Sequence, residues 1–236
     1  MELLDMSTAQ NDVHVGLRGR SNIGGRRRAV EQANDLWTAF EYAVVDVEGN
    51  GQRPPDLVEI SIVPIKGGLI GPAKNWLVRP PRPITPMARR FHKITDDRLA
   101  DAPTVADIEE ELRHALSDKV FVAHNAGVDL AVLGRELPGV QPARALDTLK
   151  LARRLLPGRT SYKLGALVDA FGLARGLPAD LMPHRATYDA LVCARLLSHL
   201  ATPPGREPLS LLELLDATAG KAMTDTAADE PAATLF

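Results

Sequence analysis

The sequence predicts an α/β fold, a mixed five-stranded sheet flanked by helices, and three observations carry that reading. Three runs rich in β-branched residues follow one another between residues 42 and 78, separated by glycine-containing turns. Two further short apolar runs, ending near residues 123 and 146, each lead into a segment with helical spacing. A meander of strands followed by strands alternating with helices describes a mixed sheet covered on its faces.

Taken in order, residues 1–36 are polar and arginine-rich without a sustained period, which predicts a flexible segment with a short helix near Val30 to Trp37. Tyr42-Ala43-Val44-Val45-Asp46-Val47 is a dense strand signal that stops at the turn residues Gly49-Asn50-Gly51. Leu57 to Ile65 and Leu69 to Val78 follow as second and third strands, joined through Lys66-Gly67-Gly68. The proline-rich stretch 80–86 cannot continue a central strand, so it is a loop leading to a short helical piece at Met87 to Phe91. Val105, Ile108, Leu112 and Leu116 recur at the spacing of an amphipathic helix. Val120 to Ala123 reads as a buried strand, after which Asn125 is placed to cap a helix carrying Val128, Leu130, Val132 and Leu133. Arg144 to Leu146 is a short strand entering Asp147-Thr148 and a helix to Leu155. Ser161 is the expected cap of a helix over Lys163 to Phe171, and Ala186 to Leu200 forms the last long helix. Pro203, Pro204 and Pro208 mark the exit from a domain of residues 37–202. Residues 203–217 then supply a helix packed back on it, and 218–236 a flexible tail.

Composition narrows the function classes. A net charge of -2 excludes a protein that coats nucleic acid in bulk, although Arg18, Arg20, Arg26, Arg27 and Arg28 form a local basic run. Cys193 is the one cysteine, so neither an intramolecular disulfide nor a cysteine-based zinc site can form. Its apolar neighbours make it a small buried hydrophobe, and a cytoplasmic location is expected. With no run of eighteen apolar residues, neither a signal peptide nor a membrane span is expected.

Three acidic segments carry the chemistry. Asp46 and Glu48 are two residues apart on one strand, so both carboxylates face the same side a few ångströms apart. Like charges that close need a proton or a cation between them, yet acids also collect where a chain leaves a sheet, and the spacing alone leaves both readings open. Asp129, in His124-Asn125-Ala126-Gly127-Val128-Asp129, stands near the start of a helix, where the dipole favours its charge whether or not it binds anything. His184 precedes a helix and Asp189 lies on its first turns. Five residues separate them, which is not the i, i+4 ligand pair of a zinc helix, so they suit different tasks: a ligand and a loop-borne base.

With these segments in this order, residues 41–200 resemble the DEDDh exonuclease family of the ribonuclease H-like superfamily, which includes the proofreading subunit of bacterial replicative DNA polymerase, ribonuclease T and oligoribonuclease. Val45 to Glu48 looks like the first family motif, Ala123 to Asp129 the second and His184 to Ala190 the third, with Asp147-Thr148 resembling a segment between them. Arg185 stands where the sister subgroup has tyrosine, so the histidine version is the better match. The resemblance implies a ribonuclease H-like fold. It also implies a 3′→5′ exonuclease that hydrolyses phosphodiester bonds at the 3′ end of single-stranded DNA and releases nucleoside 5′-monophosphates. Asp46, Glu48, Asp129 and Asp189 would hold two Mg²⁺ or Mn²⁺ ions, the cations suited to an all-oxygen shell, and His184 would be the general base. Gly49, Asn50, Gly51, His92 and Asn125 are the expected substrate contacts. Arg89, Arg90, Lys93, Arg153, Arg154, Arg159 and Lys163 are candidate groove cations.

The chain departs from the family pattern in two places: Gly49-Asn50-Gly51 replaces a threonine-containing turn, and Val128 stands where an aromatic residue is usual. Aromatic residues are few, which favours a short grip on the terminal nucleotides over extended stacking. An exoribonuclease of RNA ends or short oligoribonucleotides, a noncatalytic interaction module that retains the fold, and a general metal-dependent phosphatase or other hydrolase are the alternatives. The partner implied is a single-stranded 3′ end, with a DNA polymerase subunit as a further candidate. The terminal Ala232-Ala233-Thr234-Leu235-Phe236 loosely resembles a sliding-clamp peptide, without its leading glutamine.

Overall fold

The computed structural model describes residues 35–219. The N-terminal arginine run, most of the short helix expected near Val30 to Trp37, and Leu235-Phe236 lie outside the described residues.

Strand β1 (Glu41–Gly49) is the axis of the sheet. Strand β2 (Leu57–Lys66) runs antiparallel beside it, with Asp46 opposite Ser61 and Glu48 opposite Glu59. On the other side, β5 (Val120–Ala123) pairs parallel with β1, and β6 (Ala145–Asp147) pairs parallel with β5. The third strand expected over Leu69 to Val78 is two segments, β3 (Leu69–Ile70) and β4 (Lys74–Leu77). Both lie on β2, β3 opposite Ile65 and Lys66 and β4 opposite Glu59 to Ile62. Pro72 between them has no N–H for the ladder, and Gly71 donates its own to the Pro64 carbonyl at 2.8 Å. The two segments share one edge position in turn, so the mixed sheet keeps its expected width with a broken edge.

The helices are α1 (Pro86–His92), α2 (Asp96–Leu99), α3 (Val105–Leu116), α4 (Gly127–Glu136), α5 (Thr148–Leu155), α6 (Leu164–Phe171), α7 (Ala186–Ala201) and α8 (Leu211–Ala219). The short α2 was not expected; Thr95 caps it by accepting the Arg98 N–H. Two expected caps are different in the structure. Asn125 adopts the left-handed conformation (φ 72°), which asparagine tolerates, and the N-cap of α4 is Ala126, without a side-chain bond. Ser161 accepts the Lys163 N–H at 3.3 Å, but Lys163 itself is the N-cap of α6.

Alternation along β1 separates two apolar layers. Tyr42 and Val44 pack on the side of α5, α6, α7 and α8, while Ala43, Val45 and Val47 pack on the side of α3 and α4. Helix α7 buries Val192, Cys193, Leu196, Leu197 and Leu200 in the first layer, each large side chain contributing about 1.5–3 kcal/mol. Cys193 is buried as expected, and its burial pushes the thiol pKa up. Helix α8 closes this layer with Leu211 and Leu214, and Ser210 and Glu213 cap it reciprocally. The same parity brings Asp46 and Glu48 to the α7 side of the sheet, at the end of β1. Among the described residues no helix is long and apolar enough to cross a membrane.

Candidate active site

Asp46 and Glu48 enter the site from β1, and Asp189 enters from the first turns of α7. Ligand oxygens of these three carboxylates all lie within 4.8 Å of one another. Asp129 comes from the first turn of α4 and is buried. It stands outside that tight triad, but its charge acts on both Asp46 and Glu48.

The electrostatics are one-sided. Burial holds the Asp46 carboxyl well above the usual carboxylate range, and Asp189, Glu48, Asp129 and Glu59 each push it higher. Glu48 is raised by burial and then by Asp189, Glu59 and Asp129, with Arg185 opposing least. Burial carries Asp129 up to about 8, against backbone hydrogen bonds that include Val47. Asp189 is pushed up to about 7, mainly by burial, while the His184 amide draws it down. Asp46, Glu48 and Asp189, three hard oxygen donors from β1 and α7, form a candidate site for one metal ion, with the Asp129 charge nearby.

His184 sits in the exposed loop before α7 with φ 62°, a left-handed conformation uncommon for histidine. Its N–H donates to Asp189 Oδ2 at 3.1 Å, and its ring meets the edge of Phe91 with centroids 5.6 Å apart. The expected base and the expected ligand are therefore tied through the backbone, with the imidazole held against α1.

The expected substrate contacts fare differently. The Asn50 side chain is fully buried; its amide donates to Asp56 Oδ2 at 2.7 Å and the Arg82 carbonyl, and its oxygen accepts the Gln52 and Asp56 N–H groups. Arg82 in turn forks onto Asp56, so Asn50 latches the turn after β1. Gly51 has φ 76° and lies against the α1 cap, where an added Cβ would fall 2.2 Å from Thr85 Oγ1. Gly49 is the buried end of β1. His92 is fully buried, with Nδ1 accepting the Ile94 N–H at 3.0 Å. Asn125 gives its backbone N–H to Asp147 Oδ1 at 3.1 Å. The Asn50 side chain is thus committed to the turn after β1, and His92 Nδ1 to the backbone that follows α1.

Four further residues shape the site without having been singled out for a role. Asp147 caps α5 through the Leu149 and Lys150 amides while holding Asn125, which locks β5, β6 and α5 together behind Asp129. His124 joins Thr148 Oγ1 at 2.9 Å to the Tyr162 carbonyl at 3.0 Å; burial drives its pKa down to about 4, so it is neutral. Glu59 and Arg185 form a fork with contacts of 2.7 and 2.9 Å. A lone acid inside the apolar run Leu57-Val58-Glu59-Ile60 was the available signal.

A mixed sheet that gathers three carboxylates around a candidate metal site, beside a loop imidazole, is an arrangement that metal-dependent hydrolases use. The family model described as exonuclease, of the RNase T type, matches residues 41–197, and the chain belongs to this family. Exodeoxyribonuclease 10 of Escherichia coli (strain K12) is 35% identical over 199 residues, covering 80% of this chain and 86% of the relative. PolC-type DNA polymerase III of Bacillus subtilis (strain 168) is 33% identical over 72% of this chain, which spans 12% of that protein. The solved structure of Exonuclease X in complex with 5′ overhanging duplex DNA superposes with a TM-score of 0.62 at 35% identity, covering 75% of this chain and 99% of that one. Escherichia coli Exonuclease I in complex with a dT13 oligonucleotide gives a TM-score of 0.56 at 15% identity over 69% of this chain and 41% of that one, a likeness of fold.

Proposed function

We propose that this exonuclease removes nucleotides one at a time from the 3′ end of single-stranded DNA, releasing nucleoside 5′-monophosphates. The observation that carries the reading is the Asp46, Glu48 and Asp189 triad with ligand oxygens within 4.8 Å of one another. The 35% identity with exodeoxyribonuclease 10 supports DNA as the substrate.

Asp46, Glu48 and Asp189 would hold one divalent cation, and Asp46 with Asp129 a second. Bound there, the pair supplies charge neutralisation at the scissile phosphate and lowers the pKa of water. Metal binding requires the carboxylates to ionise, so their raised pKa values couple ion binding to proton release. His184 accepts a proton from the attacking water at a ring nitrogen, from a position set by Phe91 and by the bond of its own amide to Asp189. The Asn50 side chain braces the turn after β1, and His92 accepts the Ile94 N–H beyond α1. A DNA polymerase partner rests on the match to the PolC-type enzyme, and sliding-clamp contact on residues 232–236.

The test is digestion of matched DNA and RNA oligonucleotides, labelled at the 5′ end, with Mn²⁺ or Mg²⁺, comparing wild type with D46N and with His184→Asn. Stepwise shortening of DNA by the wild type alone, with 5′-monophosphates as product, is expected. Faster digestion of RNA would replace DNA as the substrate, and no metal-dependent digestion of either would overturn the proposal.

A further inference from the structure

Glu59 is a buried acid on β2, 1% exposed, directly across the ladder from Glu48. Because the two are paired in register, they face the same side of the sheet. A fifth carboxylate beside four that already repel one another is costly unless something holds it charged or neutralises it. Arg185 answers that demand: Nε reaches Glu59 Oε2 at 2.9 Å and Nη2 reaches Oε1 at 2.7 Å. Glu59 Oε2 also accepts the Ala186 N–H at 3.1 Å.

That second bond matters for the helix. Arg185 occupies the N-cap of α7, and no side chain of its own segment caps the helix. Glu59 therefore supplies from another strand the carboxylate that a first-turn amide needs, at the positive end of the longest helix. The Arg185 carbonyl accepts the Asp189 N–H at 3.1 Å, the first bond of the helix, and Asp189 in turn holds the His184 amide. A continuous series of bonds runs from β2 through Arg185 and Ala186 to Asp189 and His184. Glu59 is thus the point at which the loop and helix carrying the base and one ligand are attached to the strand pair carrying the other two.

Building on the nuclease reading, we propose that Glu59 and Arg185 are positioning residues. Their fork sets His184 and Asp189 in register with Asp46 and Glu48, and it commits the guanidinium to Glu59, beside Glu48. An apolar pair of similar size would fill the same space and serve stability as well. It would neither cap α7 nor hold a cation in a fixed place beside Glu48.

The experiment uses the full chain with Mn²⁺ and a single-stranded DNA oligonucleotide. It compares wild type with E59Q, R185M, R185K and the double variant E59Q/R185M, each assayed well below its melting temperature. The expected result is a fall in kcat of about tenfold or more for E59Q and R185M with KM within about twofold, since misplacement of reacting groups is felt in the transition state. R185K keeps the charge and one bond, so it recovers part of kcat. The double variant is no worse than the poorer single variant, because both remove one device. Hydrogen exchange at the Ala186 amide is faster in E59Q than in wild type. Folded variants with kcat within about twofold of an active wild type, losses that multiply in the double variant, or losses confined to KM would each overturn the proposal. Failure of every variant to fold, R185K included, would reduce the pair to a structural role and overturn it too. An inactive wild type would instead strike at the nuclease reading itself, and the inference with it.

Discussion

Asp129→Asn isolates the electrostatic cost of the site in the absence of metal. The Asp129 carboxyl rises from an ordinary value of 3.8 to about 8 because the fold buries it. A raised carboxyl binds its proton more tightly in the fold than in the unfolded chain. Its stabilising contribution is therefore full below the unfolded pKa and is lost as pH climbs through the folded one, at about 1.4 kcal/mol per unit. Between pH 5 and 8 the wild type should lose about 4 kcal/mol relative to D129N, whose amide does not titrate. For a domain of this size that corresponds to roughly 8–16 °C in melting temperature. His124 works in the opposite direction: held neutral with a pKa of about 4, it adds stability as pH rises from there towards 6.5. It is present in both proteins, so the difference between them cancels it. The assay is thermal melting by circular dichroism in chelator across pH 5 to 8, followed by addition of Mn²⁺ at pH 8. Free ion at about 100 times its Kd should return about 2.7 kcal/mol to the wild type. A difference between wild type and D129N that is flat across this range, or that grows in favour of the wild type, would refute the burial argument.

Three other outcomes follow from the geometry. His184→Asn should keep the fold, since asparagine accepts φ 62°, while kcat falls by about 10²–10⁴-fold; melting temperature and single-turnover digestion separate the two. Gly51→Ala places a Cβ 2.2 Å from Thr85 Oγ1 at φ 76°, so it should cost about 1–3 kcal/mol and loosen the α1 cap, read by urea unfolding and by exchange of the Ala88 amide. Asp147→Ala removes the acceptor for the Asn125, Leu149 and Lys150 amides, and is expected to destabilise by about 1–3 kcal/mol with a measurable weakening of Mn²⁺ binding by calorimetry.

Asp46 and Glu48 show what could be read without coordinates. A spacing of two on a β-branched run decides that both carboxylates share a face, because side-chain direction in a strand is a local property. The same holds for Cys193, whose apolar neighbours announce burial, and for the order of strands and helices, which follows from periodicity and turn residues. The resemblance added the last step, that Asp129, His184 and Asp189 belong with that strand end.

Asn50, Asn125 and the edge strand show where local reading stops. Asn50 looked available in a glycine turn, but Asp56 and Arg82 reach it from elsewhere and absorb its polar atoms. Asn125 has the chemistry of a helix cap, yet Asp147 takes its amide from another strand and the helix begins two residues later. The edge strand broke at Pro72 because a ladder with β2 was required on both sides of a residue with no N–H to give. Glu59 is the clearest case. Its charge is visible in the sequence, but its task depends on being opposite Glu48 and within reach of Arg185, 126 residues along the chain. Burial and hydrogen-bond partnership are set by which segments meet, and only tertiary structure decides that.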